Sequence, residues 1–338
     1  MNIRPAVVCA FAALSLAAGP ALAQSFYVGK QVKLTVGAAA GGGYDLLGRI
    51  MARHMGKHLP DNPSVIVQNS PAAGGLAAAN ALANTAERNG TAIGLLQRSI
   101  LLAKILSPEG ARFELGDFNW IGNLNSEASV AVVWHTSAAQ TARDFLTTPV
   151  IVGGMTGADP EITAKMYNAL LGARLQIING YNGTNAIGQA MEGGEVQGTA
   201  DWSWSTLKVQ KRDWLREGKV RVLLQAALKK EDDLAQVPNV LDLVTDPLSK
   251  ETMETYLIQK TLARPVVAPP EVPQERIKML RNAFAALGGD AEFLAEAAKA
   301  QIEISIIRGE DVQPLVAKIA RLRPAVRARL EAAALGRR

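Results

Sequence analysis

The amino-acid sequence predicts an α/β protein of two domains, with mostly parallel sheets flanked by helices and a ligand cleft between the domains. Three observations support this prediction. Short β-branched strands alternate with helical stretches, and a turn rich in glycine, asparagine or serine joins many strands to the following helix. The same order of strand, polar turn and helix occurs in two successive blocks. A length of 338 residues allows two domains of ordinary size.

The first block covers residues 32–106. The pattern predicts strands at 32–37, 65–69 and 92–97, and helices at 46–58, 76–84 and about 100–106. The carboxyl ends of parallel strands meet at one edge of a sheet, where open α/β sheets bind ligands. The turns that follow these strands are therefore expected to lie together.

The second block repeats this order, and the remaining chain returns to the first domain. Strands are predicted at 129–134, 150–153, 175–179, 196–200 and 220–224. Asp159 as N-cap, with Pro160 as the first helical residue, predicts a helix start. The last third predicts strands at 261–267 and 302–306 and helices at 274–287, 290–300 and 310–330. Domain 1 is then 24–125 with 260–338, domain 2 is 126–259, and the chain crosses near 123–128 and 254–260.

Residues 1–23 have the pattern of a secretory signal peptide. Arg4 precedes an apolar stretch that is too short to span a bilayer, and Ala21-Leu22-Ala23 is a small-x-small cleavage site. The only cysteine, Cys9, lies inside this segment, so the mature chain has no disulfide and no cysteine metal site. A soluble protein of a bacterial periplasm is expected.

The first strand ends in a glycine turn, Gly41-Gly42-Gly43, that leads into a helix. Glycines leave the backbone amides at the positive end of the helix dipole open to an anion, and Asp45 is expected to cap the helix. The turn matches neither the P-loop nor the dinucleotide fingerprint, because Tyr44 and Asp45 follow the glycines and Leu46 takes the third glycine position. A purely structural turn remains the alternative.

Other residues fit a ligand site less specifically. Arg98 follows a strand, where its guanidinium suits either a ligand carboxylate or a salt bridge. Trp202 and Trp204 suit either the core or one wall of a cleft, and Tyr44 and Tyr181 sit in turns where they suit an aromatic or apolar ligand body.

Catalysis, metal binding and nucleic-acid binding have little support. His54 and His58 are four residues apart but lack the glutamate of a zinc protease, which favours two surface histidines. Neither a nucleophile elbow nor a nucleophile–base spacing is present. The arginines near the C-terminus are typical of a solvated helix face. We therefore predict no catalytic residue, no cofactor, no metal and no nucleic-acid partner.

Several motifs together resemble one family of receptors. Residues 36–45 with Arg49, the run 69–75, the run 180–186, and Gly194-Glu195-Val196 with Asp201 stand in the order found in the substrate-binding receptors of tripartite tricarboxylate transporters, the Bug/TctC type. Residues 220–223 and 265–269 also fall in the expected order, so the resemblance covers nearly the whole mature chain. It departs from the family at Tyr44, at Ala72 and at Asn182-Gly183-Thr184.

The resemblance implies a periplasmic binding protein of the type II-like, Venus flytrap fold that is not an enzyme. Such a receptor closes on a small organic carboxylate, a di- or tricarboxylate or an aromatic acid, and delivers it to membrane permease subunits; we expect a monomer. The implied ligand-binding residues come from turns in both domains: Ala39, Gly41, Gly42, Gly43, Tyr44, Gln97, Arg98, Ser99, Thr156, Gly157, Tyr181, Asn182, Gly183, Thr184 and Asp201. The alternatives are a receptor that presents its ligand to a membrane sensor and a secreted hydrolase.

Overall fold

Eleven strands and fourteen α-helices occur in the part of the chain that the computed structural model describes, residues 26–337. The predicted signal peptide at 1–23 lies outside these residues. The strands are β1 (Gln31–Val36), β2 (Ser64–Asn69), β3 (Ala92–Leu95), β4 (Asn119–Asn123), β5 (Ser129–Trp134), β6 (Pro149–Gly153), β7 (Arg174–Ile178), β8 (Gly198–Ser203), β9 (Val220–Ala226), β10 (Pro265–Ala268) and β11 (Ile307–Arg308).

The helices fill the connections between the strands. They are α1 (Gly43–Met55), α2 (Leu76–Asn84), α3 (Ile100–Leu106), α4 (Ala142–Thr147), α5 (Asp159–Leu170), α6 (Thr184–Glu192), α7 (Trp204–Gln210), α8 (Arg212–Arg216), α9 (Val240–Leu243), α10 (Pro247–Thr261), α11 (Gln274–Ala286), α12 (Ala291–Lys299), α13 (Gly309–Ala320) and α14 (Pro324–Leu335). Within residues 26–337, none of them has the length and apolar character that a membrane-spanning helix requires.

The strands form two sheets, and both are mixed. The first has the order β11-β4-β10-β3-β1-β2 and the second β7-β6-β8-β5-β9. Parallel pairs join β1 to β2 and β3, and β6 to β7 and β8. The strands next to the crossings, β4, β5 and β10, pair antiparallel. The expected parallel arrangement thus holds for the strands that carry the ligand-side turns, and the crossing strands run the other way.

The strands follow the predicted division of the chain into two blocks. Strands β1–β4, β10 and β11 belong to the first sheet and β5–β9 to the second. Helix α14, however, packs against α5 of the second block and against α10. The domain limits of 24–125 with 260–338 and 126–259 therefore stay a proposal.

Several element bounds differ from the prediction for local reasons. The helix predicted at 310–330 is two helices, because Pro324 starts α14 as its first residue. The segment 254–260, predicted as a crossing, continues the helix α10. The segment 302–306, predicted as a strand, has an irregular backbone, and the two-residue β11 follows it and pairs with Gly122 and Asn123.

The chain crosses between the sheets twice, and the two crossings are hydrogen-bonded to each other. The amide of Leu124 donates to the carbonyl of Arg264 at 3.1 Å, and the amide of Glu127 donates to the carbonyl of Lys260 at 2.9 Å. The Ser126 hydroxyl donates to the Thr261 carbonyl at 3.0 Å. The crossings thus form a hydrogen-bonded pair of segments that joins the two sheets.

Candidate ligand-binding site

A cavity of about 540 Å³ opens between the two sheets, at the carboxyl ends of β1, β3, β6, β7 and β8. Its volume is within the range of small-molecule sites, about 300–1,000 Å³. Of the residues predicted from the sequence, seven line it: Tyr44, Gln97, Arg98, Ser99, Gly157, Thr184 and Asp201. These residues are far apart in sequence and come from both sheets, so the turns meet as expected for open α/β sheets.

The other eight predicted residues do not line this cavity. They are Ala39, Gly41, Gly42, Gly43, Thr156, Tyr181, Asn182 and Gly183. All belong to the same turns as lining residues, and the glycine turn is exposed next to Tyr44. The triglycine turn and the turn at 181–184 therefore face one cavity through one residue each, Tyr44 and Thr184.

Four helices present their first residues to the cavity. Tyr44 is the second residue of α1, and Leu76, Asp159 and Thr184 are the first residues of α2, α5 and α6. Two of these helices follow strands of the first sheet and two follow strands of the second. The first amides of a helix have no partner within the helix, and the dipole makes that end positive; in α2 the amide of Leu76 already donates to the carbonyls of Ala72 and Ala73, so there the dipole is what remains. Together these ends create an environment that favours an anion.

The helix caps differ from the sequence prediction. Gly42, not Asp45, is the N-cap residue of α1. Asp45 is the third residue of the helix, and its carboxylate accepts the amide of Gly41 at 2.8 Å. Likewise Ala158 caps α5, so Asp159 and Pro160 are its first and second residues. The prediction of Asp45 as the cap was wrong because three glycines in succession leave the starting residue ambiguous in the sequence.

Arg98 forms salt bridges within the protein, which is the second of the two interpretations that the sequence allowed. Its guanidinium contacts Glu127 at 2.7 Å and also contacts Asp159, so it joins the residues after β3 to the start of α5. Burial opposes ionisation, but the carboxylates of Asp159 and Glu127 hold the pKa of Arg98 well above its ordinary value. Although Asp159 is also buried, Arg98 and Lys260 lower its pKa to about 2. All three groups are charged at neutral pH.

A second ion pair lies directly behind the cavity. The ammonium of Lys260, which is 1% exposed, donates to Asp201 at 2.5 Å and lies 3.6 Å from Asp159. Thr163 donates its hydroxyl hydrogen to the same Asp201 oxygen at 2.8 Å. Asp201 thus lines the cavity while its charge is compensated from the protein side.

Tyr44 connects the helix α1 to the second crossing. Its hydroxyl donates to the carbonyl of Ala263 at 2.8 Å and accepts the amide of Arg98 at 3.2 Å. The guanidinium of Arg264 stacks 4.1 Å from the centre of its ring. The tyrosine ring lines the cavity as predicted, and its hydroxyl is held by the protein backbone.

The other aromatic residues considered for the ligand site make contacts within the protein. Tyr181 donates its hydroxyl to Glu195 at 2.6 Å, and burial with this bond raises its pKa to about 12. Trp202 is fully buried beside Trp214, and Trp204 is buried with its ring nitrogen donating to Asp233 at 2.9 Å. The core interpretation of both tryptophans is therefore correct, and neither forms a cleft wall.

Sequence reasoning missed the apolar wall of the cavity. Leu102, Ala103 and Leu106 line it from α3, Leu76 from α2, and Ile162 from α5. The signal was available in the segment 100–106, where every residue except Lys104 is apolar. Such a segment also suits a helix buried in the core, which is why its role was not apparent from the sequence.

Glu127 and Arg264 were missed as well. They lie in the two crossings, and their guanidinium–carboxylate distance is 3.5 Å. The sequence does not indicate this contact, because the two residues are far apart in the chain and neither belongs to a helix or strand with a periodic pattern. Ala73 and Gly74, in the motif 69–75, also line the cavity, and both have left-handed backbone angles with φ of 52° and 63°.

His54 of α1 and His58, in the 3-10 turn that follows α1, contribute to an ion-pair cluster away from the cavity. His54 contacts Glu296 at 2.7 Å and His58 contacts Asp290 at 2.9 Å. The ammonium of Lys57 lies 2.9 Å from Asp290 and 2.7 Å from Glu292. His54, Asp290 and Glu292 are close enough to hold a metal ion, but Lys57 already supplies the cation there. The cluster joins α1 to α12.

Comparison with known proteins finds a relative in sequence and several solved structures of similar fold. A Cupriavidus necator protein described as UPF0065 protein in gbd 5'region is 28% identical over 250 residues, 71% of this chain and 72% of that protein. A TctC solute-binding protein from Polaromonas, solved without ligand, is 20% identical with a TM-score of 0.69, over 86% of this chain and 95% of that chain.

A further solved structure has a bound ligand. An R. palustris protein solved with adipate is 19% identical with a TM-score of 0.60, over 90% of this chain and 96% of that chain. No protein-family model matches the chain. The resemblance to the Bug and TctC receptors that the motifs indicated is confirmed, and the chain has the two-domain fold of these periplasmic binding proteins.

Proposed function

We propose that this chain is a periplasmic solute-binding receptor that captures a small organic carboxylate between its two sheets. The observation that carries the proposal is the cavity onto which four helix N-termini open, two from each side. Backbone amides and helix dipoles hold an anion without a neutralising side chain. They suit a receptor, which must release its ligand unchanged.

Closure of the cleft would strengthen this binding. The first sheet contributes the residues around Tyr44 and Gln97, and the second contributes those around Gly157 and Thr184. A bend at the paired crossings moves one set towards the other and removes water from the carboxylate, which makes each amide contact stronger. Delivery of the closed form to a tripartite tricarboxylate-type permease follows as part of the proposal.

The arrangement does not favour a hydrolase. Within residues 26–337 the cavity lining includes the hydroxyls of Ser99, Ser129, Ser203 and Thr206, but no histidine lies beside them as a base. The carboxylates of Glu127, Asp159 and Asp201 are each held by a cation. A receptor that presents its ligand to a sensor would use the same cavity, and the genes beside this one would distinguish sensing from transport.

The test places one charge at the mouth of the cavity. Ser99 is exposed and lines the cavity, so its substitution should leave the fold intact. We first identify acids that raise the melting temperature of the mature chain and are recovered unchanged, from a panel of aliphatic and aromatic carboxylates. Their affinities are then measured for Ser99→Glu and for Ser99→Gln, which has the same shape without the charge.

We expect Ser99→Glu to weaken binding by about tenfold or more, an order of magnitude consistent with like charges a few ångströms apart. Ser99→Gln should retain most of the affinity. Equal affinities for the two variants would show that the acid binds elsewhere. Failure of every carboxylate to bind, or chemical turnover of one that does, would refute the proposed function.

A further inference from the structure

The charges around the cavity cancel. Within residues 26–337, the charged side chains that line it are Arg98, Arg264, Glu127, Asp159 and Asp201, and Lys260 lies directly behind them. Three cations therefore face three carboxylates. A ligand that brings negative charge meets a site with no net positive charge from its side chains.

Each of these cations is already paired with a carboxylate of the protein. Arg98 contacts Glu127 at 2.7 Å, Lys260 contacts Asp201 at 2.5 Å, and Arg264 lies 3.5 Å from Glu127. One ligand carboxylate can be held by helix N-terminal amides, which need no side-chain cation. A second carboxylate on the same ligand would require a cation of its own or would lie near the carboxylates of Asp159 and Asp201.

One wall of the cavity is apolar. Leu102, Ala103 and Leu106 lie on one face of α3, and Pro160 and Ile162 from α5 complete the wall. Burial of apolar ligand surface against such a wall contributes about 25 cal/mol for each Å² removed from water. A charged group placed there would lose its hydration without a partner.

Resting on the proposed function, we propose that the cavity selects monocarboxylates with an apolar body and discriminates against acids that carry a second carboxylate. The carboxylate binds at the helix N-termini, and the apolar body lies against α3 and the first turn of α5. Glu127, Asp159 and Asp201 are the specificity-determining residues, because they neutralise the cations that a second ligand carboxylate would need.

The test uses matched pairs of acids that differ by one carboxylate. Hexanoate and adipate share a six-carbon chain, and para-toluate and terephthalate differ by a methyl in place of a carboxylate. Titration calorimetry of the mature chain should give each monocarboxylate at least about tenfold higher affinity than its partner. Equal or tighter binding of the dicarboxylates would overturn this inference and leave the proposed function standing. Failure of both monocarboxylates to bind would also overturn this inference, whereas the proposed function is decided by the full carboxylate panel.

Charge variants test the cause. Asp159→Asn and Glu127→Gln each leave the cavity with one net positive charge and should reduce the discrimination against the dicarboxylates several-fold. Asp61→Asn is the control. It makes the same change of net charge in an exposed turn before β2, at the amino ends of the strands and not at the carboxyl ends where the cavity lies. An unchanged ratio in either folded cavity variant, or the same reduction in Asp61→Asn, would contradict the proposed role of the carboxylates.

Discussion

Asp45 fixes the glycine turn at the start of α1 through contacts on both sides. Its carboxylate accepts the amide of Gly41 at 2.8 Å, Arg49 at 3.0 Å and the side-chain amide of Asn69 at 3.0 Å. Since Asn69 also donates to the carbonyl of Ala38 at 3.0 Å, one carboxylate joins the ends of β1 and β2. Three successive glycines would otherwise leave this turn without a defined conformation.

The charge of Asp45 predicts a pH-dependent contribution to stability. The hydrogen bond from Arg49 lowers its pKa to about 2 from an ordinary value of 3.8. Its carboxylate therefore stabilises the fold above pH 4, and this stabilisation is lost as the pH falls from about 4 towards 2. Asp45→Asn should cost about 1–2 kcal/mol at pH 7.

The measurement is urea unfolding of both proteins at pH 7 and at pH 3. The difference in free energy of unfolding should be smaller at pH 3, because the unfolded state of the wild-type protein then keeps Asp45 mostly protonated. A difference that is the same at both pH values would mean that the contribution of Asp45 is steric and not electrostatic.

At the scale of an element, α1 lies unusually close to the first sheet. A Cβ atom added at Gly48 would come within 2.8 Å of a methyl group of Val36 and 3.4 Å of Leu95. Both neighbours are fully buried strand residues. The close approach lets Leu47, Ile50 and Met51 bury fully, which sets the position of the helix N-terminus at the cavity.

The substitution Gly48→Ala has two opposite effects on the free energy of unfolding, and their magnitudes decide the outcome. Alanine favours the helix by about 1 kcal/mol, but forcing a methyl into a filled core costs about 1–3 kcal/mol. We expect a net loss of about 1 kcal/mol in the free energy of unfolding, measured by urea titration. Gly43→Ala is the control, since nothing lies within 4 Å of its added Cβ, and it should not destabilise. A more stable Gly48→Ala protein would contradict the packing argument.

The sequence predicted the parts of this molecule that depend on local patterns. Alternation of strands and helices, and the polar turns after β1, β3, β6 and β7, are encoded over a few residues. The assignment of Gly157 and Thr184 to the same site as Tyr44 and Arg98 came from the family resemblance. The apolar wall from α3 could not be predicted, because a run such as 100–106 looks the same in a core and in a cavity. The charge pairs Arg98–Asp159 and Lys260–Asp201 span 61 and 59 residues, and no local pattern records such contacts.

At the scale of the whole molecule, Lys260 links the second crossing to the second sheet. The residue is fully buried at the end of α10, where its carbonyl accepts the amide of Glu127 in the first crossing. Its ammonium reaches Asp201 on β8 and approaches Asp159 on α5. Lys260 thus connects the first crossing, through its carbonyl, and Asp201 at the cavity, through its ammonium.

Removal of Lys260 should therefore destabilise the molecule far more than removal of an exposed lysine. Lys260→Met leaves Asp201 buried without its cation, which costs about 3–5 kcal/mol. Lys208→Met is the control, since Lys208 pairs with Asp233 at 2.8 Å but its side chain is 37% exposed, and it should cost less than about 1 kcal/mol. Adding Asp201→Asn to Lys260→Met should recover part of the loss, because the orphaned charge is then gone. A double variant as unstable as the sum of the two single variants would show that the buried pair does not connect the crossing to the second sheet through its charges.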